Sequence, residues 1–138
     1  MPRVNQLTVP CENRPGTLAQ IAAVMGEVDV NILGFLLTTS GTKGQVKLIV
    51  DDVKKAKGAL EAAGFLYSEQ VVLHAKLANA PGALGRFAAT LAARRINIMS
   101  GYQTIEKDSK KASVVLEVSH LGKALRIYRS TASDRLYE

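Results

Sequence analysis

The sequence repeats itself at an offset of 66 residues. Pro15-Gly16 recurs as Pro81-Gly82, and Val30-Asn31-Ile32 recurs as Ile96-Asn97-Ile98. With two extra residues in the second copy, an alternating apolar set also recurs: Val46, Leu48 and Val50 correspond to Val114, Leu116 and Val118. Self-similarity at a fixed period indicates copies of one supersecondary unit. We therefore divide the 138 residues into a first domain, 1–68, and a second domain, 69–138.

Each copy opens with a strand and a helix. Alternation of apolar residues at Leu7, Val9 and Cys11 has the period of a half-buried strand. Pro15 interrupts that strand and suits the first turn of a helix. Apolar residues then recur at i, i+3, i+4 and i+7, which is one face of an amphipathic helix. This face consists of Leu18, Ile21, Ala22 and Met25 in the first copy and of Leu84, Phe87, Ala88 and Leu91 in the second.

The remainder of the first copy predicts two strands, a helix and a last strand. Strands are expected over 30–39 and 45–50, with a hairpin turn at 40–44 between them. Asp51-Asp52 opens the second helix, and Gly64 ends it. Phe65 to Ser68 is expected to form a short last strand. The order βαββαβ predicts an α+β fold of two tandem ferredoxin-like units, each with helices on one face of an antiparallel sheet.

The second copy departs from this pattern at its end. Residues 130–138 lack the Gly64-Phe65 pattern of the first copy. The last strand of the second unit is therefore expected to be short or missing, which leaves a sheet edge for another element to cover. A unit of about 66 residues is marginal alone, so we also expect shared buried surface between units or chains.

Composition excludes several classes of protein. The chain is 47% hydrophobic and 22% charged, as in ordinary globular proteins. It has no apolar run approaching the roughly 20 residues of a membrane span and no apolar segment at its start. A single cysteine, Cys11, excludes an intramolecular disulfide framework. We expect a cytoplasmic protein with no membrane partner, no metal and no cofactor.

The net charge of +6 is concentrated in the second copy. Residues 1–68 carry a net charge of +1 and residues 69–138 a net charge of +5. The cations are scattered, so the simplest interpretation is a solvated face with a basic hairpin tip at 107–111. An acidic partner protein is the next interpretation, and nucleic acid is the last. No nucleic-acid partner is therefore expected.

The fold alone leaves function open, so individual residues must decide it. A metal-transfer domain needs a CxxC motif, and an RNA-recognition motif needs aromatic residues on its central strands. An acylphosphatase-like site needs an Arg and an Asn around a Gly-rich anion loop. The chain has none of these, and it has no carboxylate pair, histidine cluster or Ser/His/Asp set. His74 is expected at a surface or inter-sheet position, and His120 just before a helix that Ser119 could cap. The protein is therefore not expected to be an enzyme.

Two segments closely resemble the ACT domain. They are residues 12–18, Glu-Asn-Arg-Pro-Gly-Thr-Leu, followed by Val-Asn-Ile, and residues 78–84, Ala-Asn-Ala-Pro-Gly-Ala-Leu, followed by Ile-Asn-Ile. The resemblance implies a regulatory module that binds amino acids where two units meet, with the β1–α1 loop of one unit facing the second strand of another. It implies these ligand-binding residues: Asn13, Arg14, Pro15, Gly16, Leu18, Asn31, Ile32, Asn79, Pro81, Gly82, Leu84, Asn97 and Ile98.

Elementary chemistry supports such a site and also allows a plainer interpretation. A helix N-terminus attracts a carboxylate, and glycine lets a ligand approach the backbone closely. Asparagine offers both a donor and an acceptor. The alternative is that Pro-Gly and Asn serve only as turn residues. Cys11 is expected to be a small buried filler. The second loop is more apolar, so the two sites should differ.

These observations predict a tandem ACT homodimer. It would bind a small amino acid at unit interfaces and signal to a metabolic partner. One alternative is a regulatory subunit of an amino-acid biosynthetic enzyme, similar to the small subunit of acetohydroxyacid synthase. Another is an interaction module without a ligand.

Overall fold

The computed structural model describes residues 2–105 and 108–134, with side chains as far as Ser130. The order strand, helix, strand, strand, helix occurs twice, as predicted, without a separate last strand in either copy of the described chain. The elements are β1 Arg3–Glu12, α1 Thr17–Glu27, β2 Ile32–Ser40, β3 Lys43–Val50, α2 Val53–Ala62, β4 Ser68–Ala78, α3 Ala83–Ala93, β5 Ile98–Thr104, β6 Lys111–Val118 and α4 Leu121–Asp134.

Internal contacts divide the chain into two compact units. The N-terminal unit is Asn5–Gln70. The C-terminal unit combines Val4 and the residues before it with the residues from Val71 onward. Arg3 and Val4 of β1 thus belong to the C-terminal unit, and residues 68–70 of β4 belong to the N-terminal unit.

The N-terminal unit places β3 between β2 and β1, with both pairings antiparallel. Val46 of β3 lies opposite Val9 of β1 on one side and Leu37 of β2 on the other. The alternation predicted for β1 is confirmed, because Leu7 and Val9 are fully buried. Helices α1 and α2 cover this face of the sheet. Its fully buried side chains are Leu7, Val9, Ile21, Met25, Val46, Leu48, Ala56 and Leu60.

The ends of α2 follow the sequence closely. Asp52 is the N-cap, and its carboxylate accepts a hydrogen bond from the Lys55 N–H at 3.1 Å. Gly64 adopts a φ of 82°, as expected just after a helix. The short last strand expected over 65–68 does not form: of these residues only Ser68 lies in a strand, as the first residue of β4. The reason is that the Phe65 N–H still closes the helix, donating to the Leu60 carbonyl at 2.9 Å.

The C-terminal unit places β6 between β5 and β4. Among the described residues no strand follows α4, in agreement with the expectation of a short or missing last strand. The other edge of β4 is instead bonded to the start of the chain, since the His74 N–H donates to the Pro2 carbonyl at 2.7 Å. The core contains Phe87, fully buried, packed edge-to-face against Tyr128 at 6.0 Å between ring centroids.

Several smaller expectations have clear outcomes. Cys11 is half-buried against the N-terminal core. His74 is half-buried, and its Nε2 lies 2.6 Å from Ser113 Oγ. The hydroxyl of Ser119, expected as a helix cap, accepts instead from the Asn97 N–H at 2.9 Å. No helix in the described part of the chain is both long and apolar enough to span a membrane.

Candidate ligand-binding site

A cleft of about 400 Å³ opens at the end of β1 in the N-terminal unit. It is bounded by the β1–α1 loop, the start of α1, the first residue of β3 and the segment after α2. The lining residues are Pro10, Cys11, Glu12, Arg14, Thr17, Gln20, Lys43 and Phe65. Of the residues that the resemblance implied for ligand binding, Arg14 lines this cleft directly.

The backbone of the loop leaves the start of α1 without a side-chain cap. Gly16 is the N-cap, with a φ of 92°, in the left-handed region that glycine adopts without strain. The hydroxyl of Thr17 points away from the helix start, because it donates towards the carbonyls of Glu12 and Arg14 at 3.0 and 3.1 Å. Helical geometry gives the N–H groups of the first turn no partner within the helix. This helix start can therefore receive a carboxylate.

The cleft contains charges of both signs. Lys43 Nζ lies 2.6 Å from Glu12 Oε1, and both side chains remain well exposed. The hydrogen bond and the positive charge of Lys43 lower the pKa of the Glu12 carboxyl below its ordinary value. Arg14 provides a second cation. A zwitterion would find an anion and cations here, together with the start of α1.

Asn13 and Asn79 both hold the β1–α1 loop against a hairpin. The Asn13 Nδ2 donates to the Gly41 carbonyl at 2.9 Å, and its backbone N–H donates to Thr42 at 2.9 Å. Asn79 makes the equivalent bonds to Ser109 at 2.8 Å and to Lys110 at 2.9 Å. The amide donors of both residues are thus occupied in shaping the loop.

Asn31 and Asn97 lie just before β2 and β5, exposed, with their backbones bonded to the residue after the neighbouring strand. The Asn31 N–H donates to Asp51 Oδ1 at 3.0 Å, and the Asp51 N–H donates to the Asn31 carbonyl at 3.1 Å. Asn97 and Ser119 make the same reciprocal pair, at 2.9 Å each. These bonds use backbone atoms of the asparagines and do not involve their carboxamides.

The two parts of the implied site lie at opposite ends of one sheet. Glu12, at the loop, pairs with Lys43, whereas Ile32, next to Asn31, pairs with Val50. Seven residues of β3 separate these positions, which is about 23 Å at the rise of a strand. A single unit therefore does not bring Asn13 and Asn31 together.

The apolar residues of the implied set contribute mainly to packing. Leu18 and Ile32 are half-buried against the N-terminal core, and Ile98 packs in the same way against the C-terminal core. Leu84 is more open, with 41% of its surface exposed. Pro15, Gly16, Pro81 and Gly82 are exposed at the two loops.

The second loop has the same backbone and different chemistry. Gly82 has a φ of 87° and also lacks a side-chain cap. Ala78 and Ala80 stand where the first copy has Glu12 and Arg14. Arg86 replaces Gln20, and its Nη1 lies 2.8 Å from the position that a Cβ on Gly82 would occupy. A guanidinium therefore sits beside the start of α3.

Seven of the eight lining residues were not anticipated as site residues: Pro10, Cys11, Glu12, Thr17, Gln20, Lys43 and Phe65. Glu12 and Lys43 could have been found from the hairpin turn, because its register places Lys43 opposite the end of β1. Gln20 lies one turn after Gly16, on the side of α1 that faces the loop. Phe65 gives no local signal, since only the return of the chain after α2 brings it to the cleft. The described residues contain no group of three or more His, Cys, Asp or Glu side chains that could hold a metal ion.

The two units define a tandem ferredoxin-like protein. Residues 6–64, which make up most of the N-terminal unit, match the model of the ACT domain. The C-terminal unit repeats its order of strands and helices. No curated protein matches the chain.

Solved structures share this architecture over nearly the whole chain. Protein BT0572 from Bacteroides thetaiotaomicron is 25% identical and has a TM-score of 0.88, with 94% of this chain and 89% of that chain covered. A regulatory subunit of aspartate kinase from Thermus thermophilus is 17% identical with a TM-score of 0.65, covering 94% and 91%. The corresponding subunit from Thermus flavus is 14% identical with a TM-score of 0.61, covering 94% and 92%. The last two likenesses concern the fold.

Proposed function

We propose that this protein is a non-catalytic regulator that binds a small amino acid and passes the signal to a metabolic partner. The observation that carries the proposal is the cleft at the end of β1. It combines the open start of α1 with Glu12, Arg14 and Lys43, so a carboxylate and an ammonium can both be matched. The match of residues 6–64 to the ACT domain, a regulatory module, supports the same role.

The site is completed by a second unit. Because Asn31 lies about 23 Å from the loop within its own sheet, it reaches a β1–α1 loop only when it belongs to another unit. We assign that unit to a second copy of the chain. The resulting homodimer would hold the ligand between the loop of one copy and the start of β2 of the other.

The edge strands favour such an association. β2 contains no charged residue, and Leu33, Phe35 and Leu37 are respectively 61%, 50% and 39% exposed. Natural edge strands usually carry charges or irregularities that prevent pairing with another chain. A long uncharged edge with exposed apolar side chains is typical of a strand that is covered in the assembly.

The signal follows from differential affinity. A ligand that contacts two copies favours the arrangement in which both sets of contacts are made, and it shifts the population towards that arrangement. A partner that distinguishes the two arrangements then responds to the amino acid. The protein needs no catalytic group for this role.

A thermal-shift screen against the twenty amino acids tests the proposal. A ligand at about 100 times its dissociation constant adds roughly 2.7 kcal/mol to the stability of the folded state, which moves the midpoint by several degrees or more. We expect Asn31→Ala to abolish the shift, because the carboxamide that contacts the ligand is lost. The fold should be kept, since the backbone hydrogen bonds of Asn31 survive the substitution. The control variant Thr39→Ala, at an exposed position near the other end of β2, should retain the shift. The proposal would be contradicted by a screen in which no amino acid raises the midpoint. It would also be contradicted if neither Asn31→Ala nor Arg14→Ala reduced the shift that an amino acid causes.

A further inference from the structure

Each unit has a cleft between its two helices, and the repeat allows the two clefts to be compared position by position. The α1–α2 cleft has a volume of about 490 Å³, and its lining includes Val28, Asp52, Lys55, Gly58, Ala59 and Ala62. The α3–α4 cleft has a volume of about 440 Å³ and is lined by Thr90, Arg94, Lys123, Arg126, Ile127 and Ser130. At the offsets of the repeat, the same positions of the fold form both clefts.

The lining of the first cleft holds two cations and one anion, Lys54, Lys55 and Asp52, whereas that of the second holds three cations and no anion. Arg94 stands at the position of Val28, and Arg126 stands at the position of Gly58. Lys123 corresponds to Lys55, and Ser130 replaces Ala62. Because the N-terminal unit folds with Val, Gly and Ala at these positions, the fold does not require the two arginines or the serine.

The surroundings of the second cleft amplify its charge. Segments 79–98 and 119–134, which contain α3 and α4, hold six Arg or Lys residues and one acidic residue, Asp134. The matching segments of the first copy, 13–32 and 51–66, hold four cations and five anions. Acidic residues thus neutralise the helices of the N-terminal unit, whereas the second pair of helices keeps a net charge of +5.

One of the three cations has a structural role, and the other two replace uncharged residues of the first copy. Lys123 Nζ donates to the Arg94 carbonyl at 3.1 Å, which offsets the partial negative charge at the end of α3. Its ammonium has three N–H donors, of which this bond uses one. Arg94 and Arg126 each add a planar guanidinium, the group best matched to phosphate oxygens.

We propose that the α3–α4 cleft binds the phosphate group of a small molecule. Arg94, Lys123 and Arg126 supply positive charge from both helices, and Ser130 supplies a hydroxyl. A concave site of this size suits a compact anion rather than an extended polymer or a flat protein surface. The same chemistry fits inorganic phosphate and the phosphate group of a metabolite. This site is separate from the amino-acid cleft of the proposed function.

The test is a titration with inorganic phosphate and with pyrophosphate at constant ionic strength, followed by amide NMR. We expect saturable shifts around Arg94 and along the first turns of α4. The amides around Val28, in the equivalent cleft, serve as an internal control and should not move. A parallel titration with glycerol phosphate, whose charge is close to that of phosphate, identifies the source: tighter binding than phosphate would indicate a phosphorylated metabolite, and weaker binding would indicate inorganic phosphate. Either result supports the site.

A pair of double variants separates the cleft from general charge attraction. Arg94→Val with Arg126→Ala approximates the residues of the first copy and should weaken phosphate binding by about tenfold or more. Arg129→Ala with Lys110→Ala removes the same charge outside the cleft lining and should preserve affinity within about twofold. Equal losses in the two variants, or the absence of saturation in the wild type, would overturn the proposal. The proposal would also be overturned if the protein bound an acidic polymer and both double variants weakened that binding equally.

Discussion

Gly16 has a backbone conformation that favours glycine. Its φ of 92° lies in the left-handed region, and a Cβ there would meet no atom within 4 Å. The cost of a side chain is therefore one of backbone conformation rather than of space. Gly58, in the middle of α2, has equally open surroundings and an ordinary helical backbone.

These two glycines give opposite predictions for the same substitution. Gly16→Ala should lower the free energy of unfolding by about 1 kcal/mol or more, because alanine is strained at this φ. Gly58→Ala should raise it by up to about 1 kcal/mol, since alanine is the better helix former. Urea denaturation of both variants measures the difference. A neutral or stabilising effect of Gly16→Ala would show that the loop backbone does not depend on glycine.

Asn13 and Asn31 show how far residue types alone could predict the site. The sequence identified both asparagines through a shared resemblance, and it could not distinguish their roles. In the structure, the Asn13 amide holds the loop to the hairpin at Gly41, whereas the hydrogen bonds made by Asn31 use its backbone. Substitution of Asn13 would therefore disturb the loop itself, and Asn31 is the cleaner test of ligand binding.

At the scale of elements, the C-terminal unit depends on the start of the chain. Its own sequence lacks a recognisable last strand, and the described chain ends in α4. The Pro2 carbonyl accepts the His74 N–H at 2.7 Å, so the start of the chain lies along the side of β4 opposite β6. An N-terminal segment thus takes the place expected for a C-terminal strand.

Removal of residues 2–4 should expose this edge selectively. We expect amide exchange at His74 to accelerate, because its hydrogen bond to Pro2 is lost. Exchange at Leu48, in the N-terminal unit, provides the control and should be unchanged, as β1 still pairs with β3 from Leu7 onward. Unchanged protection at His74 would show that the pairing contributes nothing to the stability of β4.

At the scale of the whole molecule, the proposed function requires a second copy of the chain. The exposed apolar side chains of β2 provide a direct way to test it. Phe35 is 50% exposed on this edge strand, and Leu66 is 80% exposed in the segment before β4. The two residues are similarly apolar, and only Phe35 lies on the proposed interface.

Phe35→Lys should convert a dimer into a monomer, because a charge on an edge strand opposes pairing and apolar burial. Leu66→Lys should leave the dimer intact. Sedimentation velocity of the wild type and both variants measures the effect. A monomeric wild type, or a Phe35→Lys variant that remains dimeric, would contradict the assigned partner while leaving the cleft at Glu12 and Lys43 in place.

The sequence by itself determined the repeat, the fold class and most boundaries. These follow from local physics: apolar periods along β1 and α1, the Asp52 cap and the glycine after α2 all act within a few residues. The short strand predicted over 65–68 was wrong except at Ser68, because the Phe65 N–H bonds back to Leu60. Such a bond competes with strand formation and has no compositional signal.

Only the tertiary structure decided which distant residues meet. Register brought Lys43 to Glu12, the return after α2 brought Phe65 to the cleft, and residues 2–4 completed the C-terminal unit. The positions of Arg94 and Arg126 in one cleft likewise depend on how α3 and α4 pack. Contacts between segments far apart in the chain arise from the burial of a shared core, which no local pattern of residues encodes.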